Sequence, residues 1–289
     1  MPELPEVETI KIGLNKLLPT LKISSVSFDW AKSFPNSAND VNQFLINSSV
    51  MSVKRRAKVL LIELSSNYSL VIHLKMTGQL VFRSKDYNFG AGHPGKSLLG
   101  QLPDKSTRVS FNFTNGSKLF FNDQRKFGWV RLIPTVEVKN LDFFKKVGPE
   151  PLSDTFMWTN LKERLQRRKR SSIKAALLDQ SVIAGIGNIY ADESLWGAKI
   201  HPSRMVTDLK DSEIKSLYQE LTYVLRLSIK KGGSTDKNYL NAEGKKGSYL
   251  SFARVFRREG LTCPRCGTTI LKIRVAQRGT HICPYCQKL

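Results

Sequence analysis

Four cysteines, Cys263, Cys266, Cys283 and Cys286, form a C-x2-C-x16-C-x2-C pattern and are the only cysteines in the chain. Each C-x2-C turn can hand two thiolates to one ion. Two such turns complete a tetrahedral set with Zn–S distances of about 2.3 Å. A pair of disulfides is the competing use of four thiols, but an intracellular chain with no other cysteine favours the metal. Four thiolates leave no open coordination position, so a bound Zn2+ would be structural.

Other stretches carry side chains suited to chemistry on a polyanion. The chain opens MPELPEVE, which sets Pro2 beside the acids Glu3, Glu6 and Glu8. Part of this has a plain structural use. Pro5 fits the first turn of a helix, and Glu6 and Glu8 suit its positive N-terminus. That account leaves Pro2 and Glu3 unexplained, because they precede the helix. The run RLQRRKRSSIK gathers Arg164, Arg167, Arg168, Lys169, Arg170 and Lys174. An isolated charge run is usually a solvated face. This one precedes GIGN (185–188), a glycine turn opening a helix whose N-terminal amides, with Asn188, could receive phosphate. GIGN is not G-x-G-x-x-G, because Tyr190 holds the third glycine position and a helical pattern precedes it, so a dinucleotide fold is excluded. On the motif alone, an ordinary helix–helix turn and a phosphate site both remain open. Two further turns, LKMTGQL with Met76 and NDQRKFGWV with Arg125 and Phe127, offer side chains that could wedge into a base stack. Without further context, Met76 and Phe127 fit a hydrophobic core better.

The elements that must position these residues are legible as periodicities. Val7, Ile10, Leu14 and Leu17 recur at helical spacing, predicting a helix over 5–18 stopped by Pro19. From about residue 22 to 133 the pattern turns to strands: KVLLIEL (58–64), SLVIHL (69–74), RVSFNF (108–113), KLFFND (118–123) and GWVRLI (128–133). Asn115-Gly116 is a hairpin signal. Short strands with tight turns and no helices between them predict an antiparallel sandwich or barrel. The Gly- and Pro-rich stretch 84–107 reads as a long loop, and VGPEPLSD (147–154) as a linker. Helical patterns follow at 159–168, 172–180, 188–198 and 211–233, the last stopped by two glycines. A Gly/Lys/Asn-rich loop (232–249) and the cysteine ribbon complete the chain. The fold class is α+β and multidomain.

Composition bounds the partner. With 46 Lys+Arg against 24 Asp+Glu, the formal net charge is +22, which attracts polyanions. Nucleic acid is favoured over an anionic membrane, since no run of about 18 apolar residues and no long basic amphipathic helix occurs. The start has no basic segment leading into an apolar one, so a secretory signal is not expected. The expectation is a soluble, intracellular protein. The 40% hydrophobic content, with 15 Phe, is enough to fill a core.

MPELPEVE, RRAK (55–58), HLKMTGQL (73–80), DQRKFG (123–128), GPEPL (148–152), GIGNIYADESL (185–195), IHP (200–202), GGST (232–235) and the cysteine ribbon occur in this order. Together they resemble the bacterial formamidopyrimidine-DNA glycosylase family over nearly the whole chain. PELPEVE favours this branch over the sister endonuclease VIII branch. The resemblance implies an N-terminal β-sandwich catalytic domain with a leading helix (1–137). A helix–two-turn–helix DNA-binding domain (138–260) with a lesion-recognition loop (232–249) and a zinc ribbon (261–289) would follow. It also implies a bifunctional DNA glycosylase and abasic-site lyase of base excision repair. Its substrates would be 8-oxoguanine and formamidopyrimidines in duplex DNA held between the β and helical domains. One structural zinc, bacterial cytoplasmic localisation and monomeric action complete the expectation.

Residue by residue, the resemblance makes Pro2 the nucleophile once Met1 is removed, and Glu3 the general acid. Glu6 would order this corner, with helix capping a rival role. Lys58 would serve β-elimination and the flanking phosphate, and Arg278 phosphate contact and δ-elimination. Met76, Arg125 and Phe127 become the triad filling the space left by the extruded nucleotide, which reverses their core reading. His73, Lys169, Lys174 and Asn188 match phosphate contacts, and Ser234 and Thr235 lie in the recognition loop. Three departures stand out. DKSTR replaces the usual KHDH-like segment, putting Ser106 or Thr107 where a histidine contacts DNA, with His93 a substitute candidate. The loop 84–107 is longer than the family norm. Arg257 stands where VYGR has glycine. The rival readings are an oxidised-pyrimidine glycosylase, a damage-binding protein without catalysis, and a zinc-ribbon RNA-binding protein.

Overall fold

The first helix, α1 (Leu4–Leu17), shows how the chain builds its core. Pro5 sits in its first turn and Glu6 near its positive end, while Lys16 lies in the last turn. Leu4, Val7, Ile10 and Leu14 are fully buried on one face. The computed structural model describes residues 2–93, 95–234 and 248–289. They divide into two compact units, one of the described residues within 2–145 together with 232–234 and 248, the other of 146–231 with 249–289.

Among the described residues, the first unit holds nine strands: β1 (Ile23–Phe28), β2 (Val50–Arg56), β3 (Val59–Leu64), β4 (Tyr68–His73), β5 (Gly78–Arg83), β6 (Asn88–Gly92), β7 (Thr107–Phe113), β8 (Lys118–Asp123) and β9 (Trp129–Pro134). They form a five-stranded sheet, β1-β7-β8-β5-β6, and a four-stranded sheet, β2-β3-β4-β9, every pair antiparallel. A short helix α2 (Ala38–Asp40) lies between β1 and β2, and α3 (Asp142–Lys146) follows β9. Side-chain alternation sorts the strands into faces. Leu60, Ile62, Leu70 and Ile72 join Leu80, Phe111, Leu119 and Phe121 and the α1 stripe in one sandwich core. The alternate residues are also covered: Val59 and Val71 by Val138, Leu141, Phe143 and Phe144, and Val81 and Phe120 by Leu98 and Leu102. Burial on both faces is why KVLLIEL reads as an almost unbroken apolar run.

The stretch 84–107 is not the expected long loop. It contains β6, which pairs with β5 from Gln79↔Gly92 to Arg83↔Asn88, and a helical turn at Lys96–Leu98. Arg83 donates to the Leu98 carbonyl at 2.7 Å, so the segment folds back over the outer sheet face. Its polar residues close on themselves: Ser97 Oγ lies 2.9 Å from Ser106 Oγ and donates to Asp104 at 2.5 Å.

The second unit carries α4 (Trp158–Gln166), α5 (Ile173–Leu178), α6 (Asn188–Gly197) and α7 (Asp211–Lys230), then a hairpin of β10 (Leu271–Val275) and β11 (Arg278–Ile282). Its core gathers Leu161, Leu165, Ile173, Leu177, Ile186, Tyr190, Leu221 and Val224. The expected linker at 147–154 is not free. Gly148 N–H donates to Gln180 O at 2.7 Å and Pro149 O accepts from Ala184 N–H at 2.9 Å, which ties the segment to the turn between α5 and α6. Gly232, at φ +76°, and Gly233, at φ +90°, follow α7 in the left-handed region that glycine tolerates. The α+β class, with β-sheets, a helical domain and a four-cysteine ribbon, is what the sequence leads one to expect.

Candidate catalytic corner and nucleic-acid interface

At the start of the first unit, Pro2 is buried, and Glu3 and Glu6 are 5% and 8% exposed. Glu6 divides its carboxylate between two segments. Oε2 accepts the Glu3 N–H at 2.9 Å, and Oε1 accepts the Ser234 N–H at 2.8 Å. The capping rival and the ordering role are thus one geometry: an acid at the helix start also pins residue 234. Thr235 lies outside the described residues.

Lys58 occupies the two-residue turn joining β2 to β3, after Ala57 at φ +53°, and is 6% exposed. Arg55 braces this turn by donating to Ala57 O at 2.8 Å, while its Nε reaches Glu8 at 2.7 Å. Burial raises the Glu8 carboxyl, but Arg55 and Lys11 more than offset that and hold it below the ordinary carboxylate range. The third acid of the opening motif therefore has a structural task. His73, 7% exposed, ends β4 and accepts the Lys75 N–H on Nδ1 at 3.0 Å. Burial, then the charges of Lys75 and Lys58, push its imidazole down to about 3. The ring is neutral, with its proton on Nε2, so it can approach a phosphate only as an N–H donor.

Met76 and Phe127 are 42% and 55% exposed, out of the core. Arg125 lies with its guanidinium 4.8 Å from the Phe127 ring centroid. Met76 caps the connection from β4 to β5, and Arg125 and Phe127 cap that from β8 to β9. His93 is half-buried just past β6, its N–H bonded to Gly78 O at 3.0 Å and its carbonyl to Gln79 Nε2 at 2.6 Å. Ser106 and Thr107, at the position where the resemblance puts a histidine, are both buried, Ser106 bonded to Asp104 and Thr107 to Asn122.

In the second unit, Arg278 stands exposed where β10 turns into β11, after Ala276 and Gln277, both left-handed. The neighbouring Gly279 carbonyl receives Asn188 Nδ2 at 2.9 Å and Lys174 Nζ at 3.4 Å. Lys174 was expected to meet phosphate. It is fully buried, donating to Asp192 at 2.5 Å and to Thr280 Oγ1 at 2.7 Å. Asp192 also accepts the His281 N–H at 2.9 Å, and the adjacent Glu193 accepts backbone amides of Arg254, Val255 and Phe256. These two acids, which sequence reasoning missed, clamp the ribbon and its approach onto α6. Their signal was available: two adjacent carboxylates in a short helix with no basic residue of its own. Lys169 is exposed in the basic run after α4. Asn188 opens α6, and the N-cap Gly187 offers no side-chain acceptor.

The sulfurs of Cys263, Cys266, Cys283 and Cys286 all lie within 4.8 Å of one another. Neighbouring pairs are 3.4–4.0 Å apart, close to the ~3.8 Å edge of a tetrahedron with 2.3 Å metal–sulfur bonds. Hydrogen bonds at Thr268 bring Cys266 down to about 6, while burial, with hydrogen bonds to Cys266 and Cys283, pushes Cys286 up to about 12. A central cation would replace this contest among sulfurs, and the cluster suits a metal ion. Among the described residues no helix is long and apolar enough to cross a membrane.

The sequence matches three family descriptions: Formamidopyrimidine-DNA glycosylase N-terminal domain over residues 1–130, Formamidopyrimidine-DNA glycosylase H2TH domain over 147–239, and Zinc finger found in FPG and IleRS over 260–289. It is 42% identical to the formamidopyrimidine-DNA glycosylase of Pediococcus pentosaceus, with both chains covered in full. Among solved structures it resembles a Lactococcus lactis variant complexed with Fapy-dG-containing DNA (34% identity, TM-score 0.87, both chains covered in full). It also resembles a Lactococcus lactis complex with abasic-site DNA (34% identity, TM-score 0.87, 99% of this chain and 100% of that one). With three domain matches along its length and a full-length relative at this identity, the chain belongs to the formamidopyrimidine-DNA glycosylase family.

Proposed function

We propose that this protein excises oxidised purines, 8-oxoguanine and formamidopyrimidines, from duplex DNA and cleaves the resulting abasic site by β,δ-elimination through a Schiff base on Pro2. The chain is a DNA glycosylase and abasic-site lyase of base excision repair, in keeping with its family. The observation that carries the finer reading is the buried corner in which Pro2 and Glu3 adjoin Glu6, itself locked to Ser234.

Removal of Met1 turns the Pro2 nitrogen from an amide into a secondary amine. An α-amino group titrates near ~7.7–8.0, so more of it is neutral at pH 7 than of a lysine near ~10.4. Its lone pair attacks the sugar C1′. The C1′–base bond breaks with protonation by Glu3, and the ring opens to an iminium on nitrogen. The iminium acidifies the C2′ hydrogens, and loss of one expels the 3′ phosphate. Lys58 serves this step, and a second elimination, assisted by Arg278, expels the 5′ phosphate. Met76, Arg125 and Phe127 fill the space left by the extruded nucleotide, an assignment supported by their exposure on turns. Lys169, His73 and Asn188 contact the backbone phosphates. Lys174 acts from inside, supporting the Gly279 carbonyl next to Arg278. The four cysteines hold one Zn2+, which supplies no chemistry and staples the ribbon that presents Arg278. The protein acts as a monomer in the bacterial cytoplasm.

Borohydride trapping on a duplex with 8-oxoguanine opposite cytosine tests this. An adduct at residue 2, absent when Met1 is retained, is expected. Intact duplex binding without any adduct, on this or a formamidopyrimidine substrate, would overturn the lyase mechanism.

A further inference from the structure

Asp123 ends β8 and is 1% exposed. Its Oδ1 takes the Thr77 hydroxyl in a short hydrogen bond and the Arg125 N–H at 3.2 Å. Its Oδ2 takes the N–H groups of Phe127 at 2.8 Å and Gly128 at 2.7 Å. Thr77 Oγ1 also accepts the Arg125 N–H at 3.1 Å. One carboxylate therefore joins two turns far apart in sequence. Both turns cross between the sheets, and they lie side by side: β5 pairs with β8 at Gly78↔Asp123, and β4 with β9 at His73↔Trp129. Each contains a lysine in the left-handed region, Lys75 at φ +50° and Lys126 at φ +57°, a conformation that persists when its surroundings over-determine it. Gly128 allows the close approach, because a Cβ there would meet Asp123 Oδ2 at 3.2 Å and press on the Phe121 ring. Four donors converging on two oxygens suit a carboxylate, and an amide cannot accept at both ends.

We propose that Asp123 is a positioning residue that locks the turn bearing Met76 to the turn bearing Arg125 and Phe127, so that the three side chains enter the base stack as one rigid wedge. This rests on the reading of those three as the residues that fill the vacated space. Asp123 acts through them, since it is buried beneath the turns. A wedge whose parts moved independently would insert less often, and base eviction would slow. Chemistry on a site that has already lost its base would be affected far less.

The test uses the full chain and two substrates: a duplex with 8-oxoguanine, and a duplex with a preformed abasic site, which has no base to evict. A 2-aminopurine beside the lesion reports unstacking. Thr77→Val removes only the link between the turns, and Thr77→Ser restores it. Thr77→Val and Asp123→Asn should lower single-turnover excision about tenfold and blunt the fluorescence rise. Abasic-site cleavage should stay within about twofold of the parent, and Thr77→Ser should behave as the parent. Excision unchanged in Thr77→Val, or both activities falling together with melting temperature, would overturn the proposal. Met76→Ala and Phe127→Ala separate the two ideas. If they do not slow excision selectively, the wedge reading itself fails and takes this proposal with it. If they do while Thr77→Val does not, the lock alone fails.

Discussion

Lys174 Nζ lies 2.5 Å from Asp192 Oδ1, and neither side chain is exposed to solvent. A buried pair of this kind is costly to break from one side, because the remaining charge is stranded. Asp192→Ala should therefore lower unfolding free energy by about 3–5 kcal/mol, measured by urea denaturation, whereas Lys174→Met with Asp192→Leu should recover most of that loss. Since Lys174 and Thr280 flank the turn bearing Arg278, product analysis of the single variant should also show less δ- relative to β-elimination.

His73 sets a pH dependence. Its folded value of about 3 lies below the ordinary 6.5, so the unfolded chain binds the proton first. Stability from this group is complete above pH 6.5 and is lost as pH falls from 6.5 toward 3, at roughly 1.4 kcal/mol per pH unit. Denaturation curves at stepped pH should show a shallower slope for His73→Gln across that window. An unchanged slope would mean that the imidazole does not stay neutral.

Phe127 should separate stability from function. It is 55% exposed, so Phe127→Ala should move unfolding free energy by no more than about 0.5–1 kcal/mol. Base excision should nevertheless fall about tenfold or more, since a vacated stack loses an aromatic contact of ~1–3 kcal/mol. Paired melting and single-turnover assays check both halves.

The cysteine cluster predicts one zinc per chain by elemental analysis of the purified protein. Stripping the metal with a strong chelator, or Cys286→Ser, should unfold the ribbon and release reactive thiols. Cleavage of lesion duplex should fall with it, because the turn bearing Arg278 loses its support. Helical content should persist, since the helices keep their own core.

Arg257 adopts φ +57°, in the left-handed region that favours glycine. A non-glycine residue there is disfavoured by about 1–2 kcal/mol, and glycine costs ~0.5–1 kcal/mol in chain entropy. Arg257→Gly should thus raise stability by about 0.5–1 kcal/mol in denaturant titration.

Legibility followed the range of the interaction. Val7, Ile10 and Leu14 announce α1 because a 3.6-residue period is written within a few residues of itself. KVLLIEL announces a strand but not which of its residues face inward, because both faces are apolar. The stretch 84–107 was misread because β6, with Gly90 and Gly92, carries little strand propensity and is held by pairing with β5.

The sequence by itself determined the residue types, the C-x2-C pair that can hold a metal, the acid-rich start beside Pro2, and the succession of a strand-rich region, a helical region and a cysteine ribbon. Those features depend on spacing along the chain. Tertiary structure alone decided which polar groups face solvent. It turned Lys174 inward to Asp192, 18 residues away, and brought the His281 amide 89 residues back to the same acid. It joined Thr77 to Asp123 across 46 residues, left Met76 and Phe127 exposed, and sank Ser106 and Thr107. The physical reason is that a polar side chain is buried only where partners satisfy it, and those partners come from parts of the chain that local pattern does not connect.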